Sequence, residues 1–302
     1  MRGCRAIARA ACIDIGSNTT RLLVAEPDAR RPGGLVPLVS RRRFLRLTAA
    51  ERRSGIPDAK VAALVEAVAE QTAEARDAGV GAAALRAVAT AALRELPDRE
   101  ALVARLRDAT GTAVEILEPA DEARLAFHGA TATLPAGAGR VVVADVGGGS
   151  TELAAGVPGG APTWWASVPL GSGALTDACL HGDPPTAAEL AAARAEVQAA
   201  LAAIGCPAAG RALAVGGSAT SLRRLCGPVL GADVLDGALA RVAAGPAAER
   251  AVALDLHAER VRLLPAGLLL LAEVARAARC PLEVATGGLR EGVVLDLLAQ
   301  TG

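Results

Sequence analysis

Asp14-Ile15-Gly16-Ser17-Asn18-Thr19-Thr20 and Asp145-Val146-Gly147-Gly148-Gly149-Ser150-Thr151 share one design, and that design decides the fold. Each Asp ends a short apolar run (Ala10 to Ile13; Val141 to Ala144) and is followed by glycine and hydroxyl residues, then a second run (Arg21 to Ala25; Glu152 to Ala155). This reads as strand, tight turn, strand. Glycine lets the turn approach an anion closely, N–H and hydroxyl groups donate to phosphate oxygens, and an Asp at a strand end can hold a divalent cation. One Asp-x-Gly would satisfy turn chemistry alone. Two copies more than a hundred residues apart predict a duplicated domain with a cleft between the halves, each offering a loop to one polyphosphate.

Composition sets the bounds. At 302 residues the chain exceeds what one core usually serves, so two domains are expected, residues 1–126 and 127–302, with the last helix free to pack back on the first. Hydrophobic residues make up 52% and charged residues 21%, which excludes a disordered chain. The net charge of zero means that any polyanion is held by local charge, and no nucleic-acid partner is expected. The one dense basic cluster, Arg41, Arg42, Arg43, Arg46, Arg52 and Arg53, reads as a solvated strand end and loop.

The apolar stretch Leu263 to Ala275 is shorter than the ~20 residues of a membrane span and contains Pro265, so no span is expected. Arg2, Arg5 and Arg9 precede Asp14 too closely for a signal-peptide core, which predicts a cytoplasmic protein. Cys4, Cys12, Cys179, Cys206, Cys226 and Cys280 show no metal-site spacing, and His128, His181 and His257 are scattered. The Trp164-Trp165 pair reads as packing on a strand.

Between the loops, strand and helix alternate, which predicts an α/β fold. Val61, Leu64, Val65 and Val68 mark a helix between Pro57 and Gly79; Leu85 to Ala89 and Val114 to Leu117 read as strands around a helix at Glu100 to Ala109. Thr186-Ala187-Ala188-Glu189 is a capping box opening a helix toward Gly205. Leu213 to Thr220 is a strand running into Gly216-Gly217 and a helix, a natural anion site. A last junction, Val284 to Gly292, leads to a helix at Val293 to Leu298, with glycines that serve either an anion or close packing.

Taken in order, these motifs resemble the exopolyphosphatase / guanosine pentaphosphate phosphohydrolase (Ppx/GppA) family in its short two-domain form. The resemblance rests on both loops, Arg21, Thr90 to Glu95, Asp121-Glu122-Ala123-Arg124-Leu125, Ser167 to Ser172, Gly216-Gly217 and Gly288 to Gly292. It implies two actin-like domains of the sugar kinase/Hsp70/actin superfamily, ribonuclease H-like in each half, around an interdomain cleft. It also implies a Mg²⁺-dependent hydrolase that removes the terminal phosphate of inorganic polyphosphate or the 5′-phosphate of pppGpp. Glu122 falls at the family's catalytic base, and Arg94 is placed to neutralise charge on the transferring group. Ser17, Asn18, Thr19, Arg21, Gly147, Gly148, Gly149, Ser150, Gly216 and Gly217 would bind phosphate. Asp14, Asp145 and Glu152 would hold Mg²⁺ directly or through water. Homodimerisation is a family expectation.

The chain departs from the family pattern at Glu118-Pro119-Ala120, at Ala91, at Ala174, and after Leu45-Arg46-Leu47, where glycines are missing. A non-catalytic polyphosphate or alarmone sensor therefore stays open beside the two hydrolase readings. A sugar or acetate kinase on the same fold lacks any recognisable acceptor site.

Overall fold

The computed structural model describes residues 9–135 and 137–300, so Arg2, Cys4 and Arg5 lie outside the described residues. In the first sheet β1 (Ala10–Ile15) pairs antiparallel with β2 (Thr19–Pro27), and β2 with β3 (Leu35–Phe44). On its other side β1 runs parallel to β4 (Leu85–Ala89), and β4 to β5 (Val114–Ile116), giving the order β3-β2-β1-β4-β5. The second sheet repeats this plan with β6 (Val141–Val146), β7 (Thr151–Gly156), β8 (Trp164–Val168), β9 (Arg211–Val215) and β11 (Leu282–Val284) in the order β8-β7-β6-β9-β11. A short strand β10 (Val229–Leu230) is added outside β11. A three-strand antiparallel meander continued by parallel strands, built twice, is the duplication that the two loops predict, in the actin-like form that the family resemblance implies.

The helices are α1 (Ala49–Ser54), α2 (Asp58–Asp77), α3 (Ala91–Arg94), α4 (Arg99–Thr110), α5 (Pro119–Thr131) and α6 (Ser172–Cys179) in the first part of the chain. They are followed by α7 (Ala187–Ile204), α8 (Gly216–Cys226), α9 (Ala232–Val242), α10 (Ala247–Leu254), α11 (Ala258–Ala278) and α12 (Leu289–Gln300). The capping box of α7 forms in both directions, and Gly205 closes the helix in the left-handed conformation at φ 62°. Leu263 to Ala275 lies inside α11, buried against α6, α7, α9 and β6. No helix among the described residues is long and apolar enough to cross a membrane.

β1 and β6 are apolar on both sides because both faces of each sheet are covered. Leu64 and Val68 of α2 pack with Ile13, Ile15 and Leu22 on the outer face of the first sheet. Its inner face, through Cys12, Leu23 and Val88, meets Leu125 of α5 and Val293 and Val294 of α12. Phe127 and Ala130 of α5 turn the opposite way, onto Val141, Val143 and Leu213 of the second sheet. The two helices thus fill the space between the sheets. They cross so closely that a methyl group on Gly129 would strike the Gly288 carbonyl and come within 2.6 Å of the Gly292 nitrogen, while one on Gly292 would strike the Leu125 carbonyl.

The basic cluster is only partly the solvated surface that its sequence suggests. Arg41 and Arg43 do form surface pairs with Glu74 and Glu70 at 2.9 and 2.6 Å. Arg46 and Arg52 turn inward instead. Arg46 sits at φ 49°, which bends the chain after β3, and a capping box of Thr48 and Glu51 starts α1 immediately afterwards. Arg52 is 1% exposed, donates to the Leu47 carbonyl at 3.1 Å and pairs with Glu95 at 3.3 Å.

Candidate active site

The two loops have the same internal bond: Gly16 N–H donates to Thr19 O and Gly147 N–H to Ser150 O, each at 3.0 Å. They also touch. A β-carbon on Gly148 would lie 2.6 Å from Asn18 Nδ2, and one on Gly149 would lie 2.8 Å from Ser17 Oγ, so side chains here would push the halves apart. Asn18 Nδ2 reaches Ser172 Oγ at 3.4 Å, and Ser172 donates to the Gly147 carbonyl at 3.1 Å. On the outside of this junction Asp177 of α6 takes Arg46 Nη2 at 2.5 Å and the Ala49 N–H at 2.8 Å, tying the halves by charge-assisted bonds.

Strand register sets the chemistry behind each loop. Asp14 faces Arg21 across β1 and β2, whereas Asp145, at the equivalent strand end, faces Glu152 across β6 and β7. The duplicated rung therefore carries an acid and a base in one half and two acids in the other. Burial raises the Asp14 carboxyl above its usual range, with Arg21 and Arg290 pulling the other way. Burial, with the charges of Glu152 and Asp14, pushes Asp145 up to about 7.

Glu122, in the first turn of α5, is buried at 5% exposure and lines the cleft. Burial and then the neighbouring charge of Glu152 raise its carboxyl well above the ordinary range, against the pull of Arg94. Glu152 is also raised by burial, with hydrogen bonds from Ser167 and Ser150 pulling the other way.

Two expected residues stand differently from the sequence reading. Arg94 stands behind Glu122, its Nη1 donating to the Leu117 carbonyl at 2.6 Å and to the Glu122 carboxyl at 3.2 Å. Glu152 also sits one layer back, against Ser167 at 2.8 Å and Glu122. Asp14, Ser17, Asn18, Thr19, Arg21, Glu122, Asp145, Gly147, Gly148, Gly149, Ser150, Gly216 and Gly217 all face the cleft.

Sequence reasoning missed four contributors. Arg290 and Glu291 enter the cleft from the start of α12, inside a motif noted only as a marker. Ser172 braces the second loop. Arg260, in the first turn of α11, is 4% exposed, has no ion-pair partner among the described residues, and has a buried Nε without a hydrogen-bond partner. Burial and the nearby Arg21 and Arg42 lower its guanidinium to about 10. An isolated arginine at a helix start carries no signal in sequence that separates it from a solvated one. α8 opens on the cleft at Gly216, so its first N–H groups add donors to those of the cleft arginines.

Residues 24–301 match the Ppx/GppA phosphatase family. The chain belongs to that family. Exopolyphosphatase 1 of Mycobacterium leprae (strain TN) is 33% identical over 308 residues, covering 96% of this chain and 89% of the relative. Exopolyphosphatase 2 of Mycobacterium tuberculosis (strain ATCC 25618 / H37Rv) is 30% identical over 325 residues, covering 97% of this chain and 99% of the relative. The Ppx/GppA family member of Aquifex aeolicus superposes with a TM-score of 0.81 at 26% identity over 98% of this chain and all of that one. This Ppx/GppA protein is thereby a phosphoanhydride hydrolase, with the family's departures in place: Ala91 packs beside Gly149, and Ala174 is buried behind Gly148.

Proposed function

We propose that the protein is an exopolyphosphatase that hydrolyses the terminal phosphoanhydride of inorganic polyphosphate with the help of a divalent cation, Mg²⁺ by preference. The observation that carries the reading is one cleft, behind two glycine-rich loops, that gathers the carboxylates Asp14, Asp145 and Glu122 together with the guanidinium groups of Arg21, Arg260 and Arg290. The former suit a transferring phosphoryl group with its water, the latter the phosphates behind it.

The residues fit a Mg²⁺ ion. Asp14 and Asp145 are half-buried, face the cleft and lack enough positive charge to hold their usual protonation range. Among the described residues no three His, Cys, Asp or Glu side chains gather into a cage. One or two carboxylates completed by water and phosphate oxygens is the coordination that Mg²⁺ favours. Asp14 and Asp145 would hold it, with Glu152 behind them; when bound, it neutralises charge on the phosphate oxygens.

In the reaction the loop N–H groups, Ser17 and Ser150 orient the terminal phosphate, and Arg21 holds the phosphate behind it. Glu122, deprotonated and fixed by Arg94, takes a proton from a water in line with the phosphorus. The new bond joins that oxygen to phosphorus, the bond to the bridging oxygen breaks, and orthophosphate leaves beside a chain shorter by one unit. Phosphate release from medium-chain polyphosphate and from pppGpp, at equal terminal-phosphate concentration with and without Mg²⁺, tests this. We expect release from polyphosphate that falls by about 10²- to 10⁴-fold in Glu122→Gln. Preference for pppGpp, or binding of polyphosphate without turnover, would overturn it.

A further inference from the structure

Phe44 ends β3 and is one of only four aromatic residues in the chain, yet it does not serve either core. Its ring stacks on the imidazole of His257, with centroids 5.1 Å apart and planes at 15°. His257 belongs to the other half, where it caps α11 by accepting the Glu259 N–H at 3.2 Å. One helical turn along, the Arg260 guanidinium carbon lies 5.3 Å from the centroid of the same ring, and that of Arg42 lies at 5.6 Å.

Arg260 needs such support. Its guanidinium is buried, unpaired with any carboxylate among the described residues, and lodged where a β-carbon on Gly217 would come within 2.7 Å of Nη2. Arg260 lines the cleft and Phe44 does not, so the ring meets the guanidinium from outside the substrate space. An aromatic face stabilises a desolvated cation without neutralising it, which leaves the charge available to an anion. A carboxylate in the same place would consume it. The register also explains why the ring is there: Phe44 pairs with Thr19 and Arg42 with Arg21, so the strand that carries the ring is the direct neighbour of the first phosphate loop.

We propose that Phe44, backed by His257, is a positioning residue for Arg260, supplied by the opposite half of the molecule, so that the site for phosphate oxygens behind the transferring group is complete only when the halves are together. The ligand class rests on the exopolyphosphatase reading, so binding and turnover are measured separately. Calorimetric titration with inorganic tripolyphosphate and steady-state kinetics on polyphosphate would be run on the full chain as wild type, Phe44→Ala, Phe44→Leu, Phe44→Tyr and His257→Ala. We expect Phe44→Ala and Phe44→Leu to weaken tripolyphosphate binding about tenfold and to raise KM in step with kcat unchanged. Phe44→Tyr should restore both, and His257→Ala, on an exposed residue, should lose affinity in the same direction. In an Arg260→Ala background Phe44→Ala should cost nothing more.

Leucine rescuing as well as tyrosine, or additive losses in the double variant, would overturn the proposal. Wild type that binds tripolyphosphate without hydrolysing polyphosphate sinks the proposed activity and leaves the Phe44 comparison intact. Wild type that binds no tripolyphosphate refutes both.

Discussion

Replacing Asp145 by Asn should stabilise the metal-free protein at alkaline pH. Asp145 is lifted from an ordinary value of 3.8 to about 7, first by burial and then by the charges of Glu152 and Asp14. An acid with a raised folded value binds its proton more tightly in the native state. Its contribution is therefore fully favourable below about pH 4 and is lost as pH rises through about 7. Across that interval the loss is on the order of 4 kcal/mol. Among the described residues no hydrogen bond to the Asp145 side chain is sacrificed by the change, and Asn keeps its shape and stays neutral. In a chain of this size such a difference moves a melting midpoint by on the order of 10 °C. Calorimetric melting in chelator at pH 8 should place Asp145→Asn above wild type, with the gap closing toward pH 4; added Mg²⁺ should raise wild type and spare the variant. Equal midpoints at pH 8, or a gap that does not change with pH, would refute the account of an uncompensated buried carboxylate.

Because Arg94 lowers the proton affinity of Glu122, Arg94→Ala should move the acidic limb of the kcat/KM profile to higher pH, as a pH–rate series on polyphosphate would show. Gly129→Ala drives a methyl group into the backbone of α12 and should cost about 3 kcal/mol in denaturant unfolding, at the upper end of core overpacking. Asp177→Asn removes the acceptor shared by Arg46 and the Ala49 N–H; we expect a stability loss of about 1–2 kcal/mol, read as a shifted urea midpoint.

The duplicated loops were legible because an apolar run that stops at Asp-x-Gly has few other uses, and the strand at Leu85–Ala89 has the limits read from its sequence. Caps were legible only where their surroundings agreed. Thr48-Ala49-Ala50-Glu51 is letter for letter the capping box of Thr186-Ala187-Ala188-Glu189, yet arginines on either side made it look like loop. The inward turn of Arg46 and Arg52 depends on Asp177, Glu95 and Leu47, partners that no local pattern supplies. The same holds for Gly129, an unmarked glycine within α5 whose need appears only when α12 crosses it. The last glycines, read as serving either packing or anion, divide the work: Gly292 lies against the α5 backbone and Gly288 faces the cleft. Glu122 entered through family resemblance, since a first-turn glutamate is locally indistinguishable from any solvated one.

Duplication by itself yields a vessel with a two-fold axis, in which a ligand could lie either way round. The single rung where Arg21 answers Glu152 breaks that equivalence. The charge behind the two loops is therefore unequal, an arginine standing in one half where the other has a second acid. Under the proposed reading this inequality gives a bound polyphosphate a preferred direction, written by one pair of facing residues.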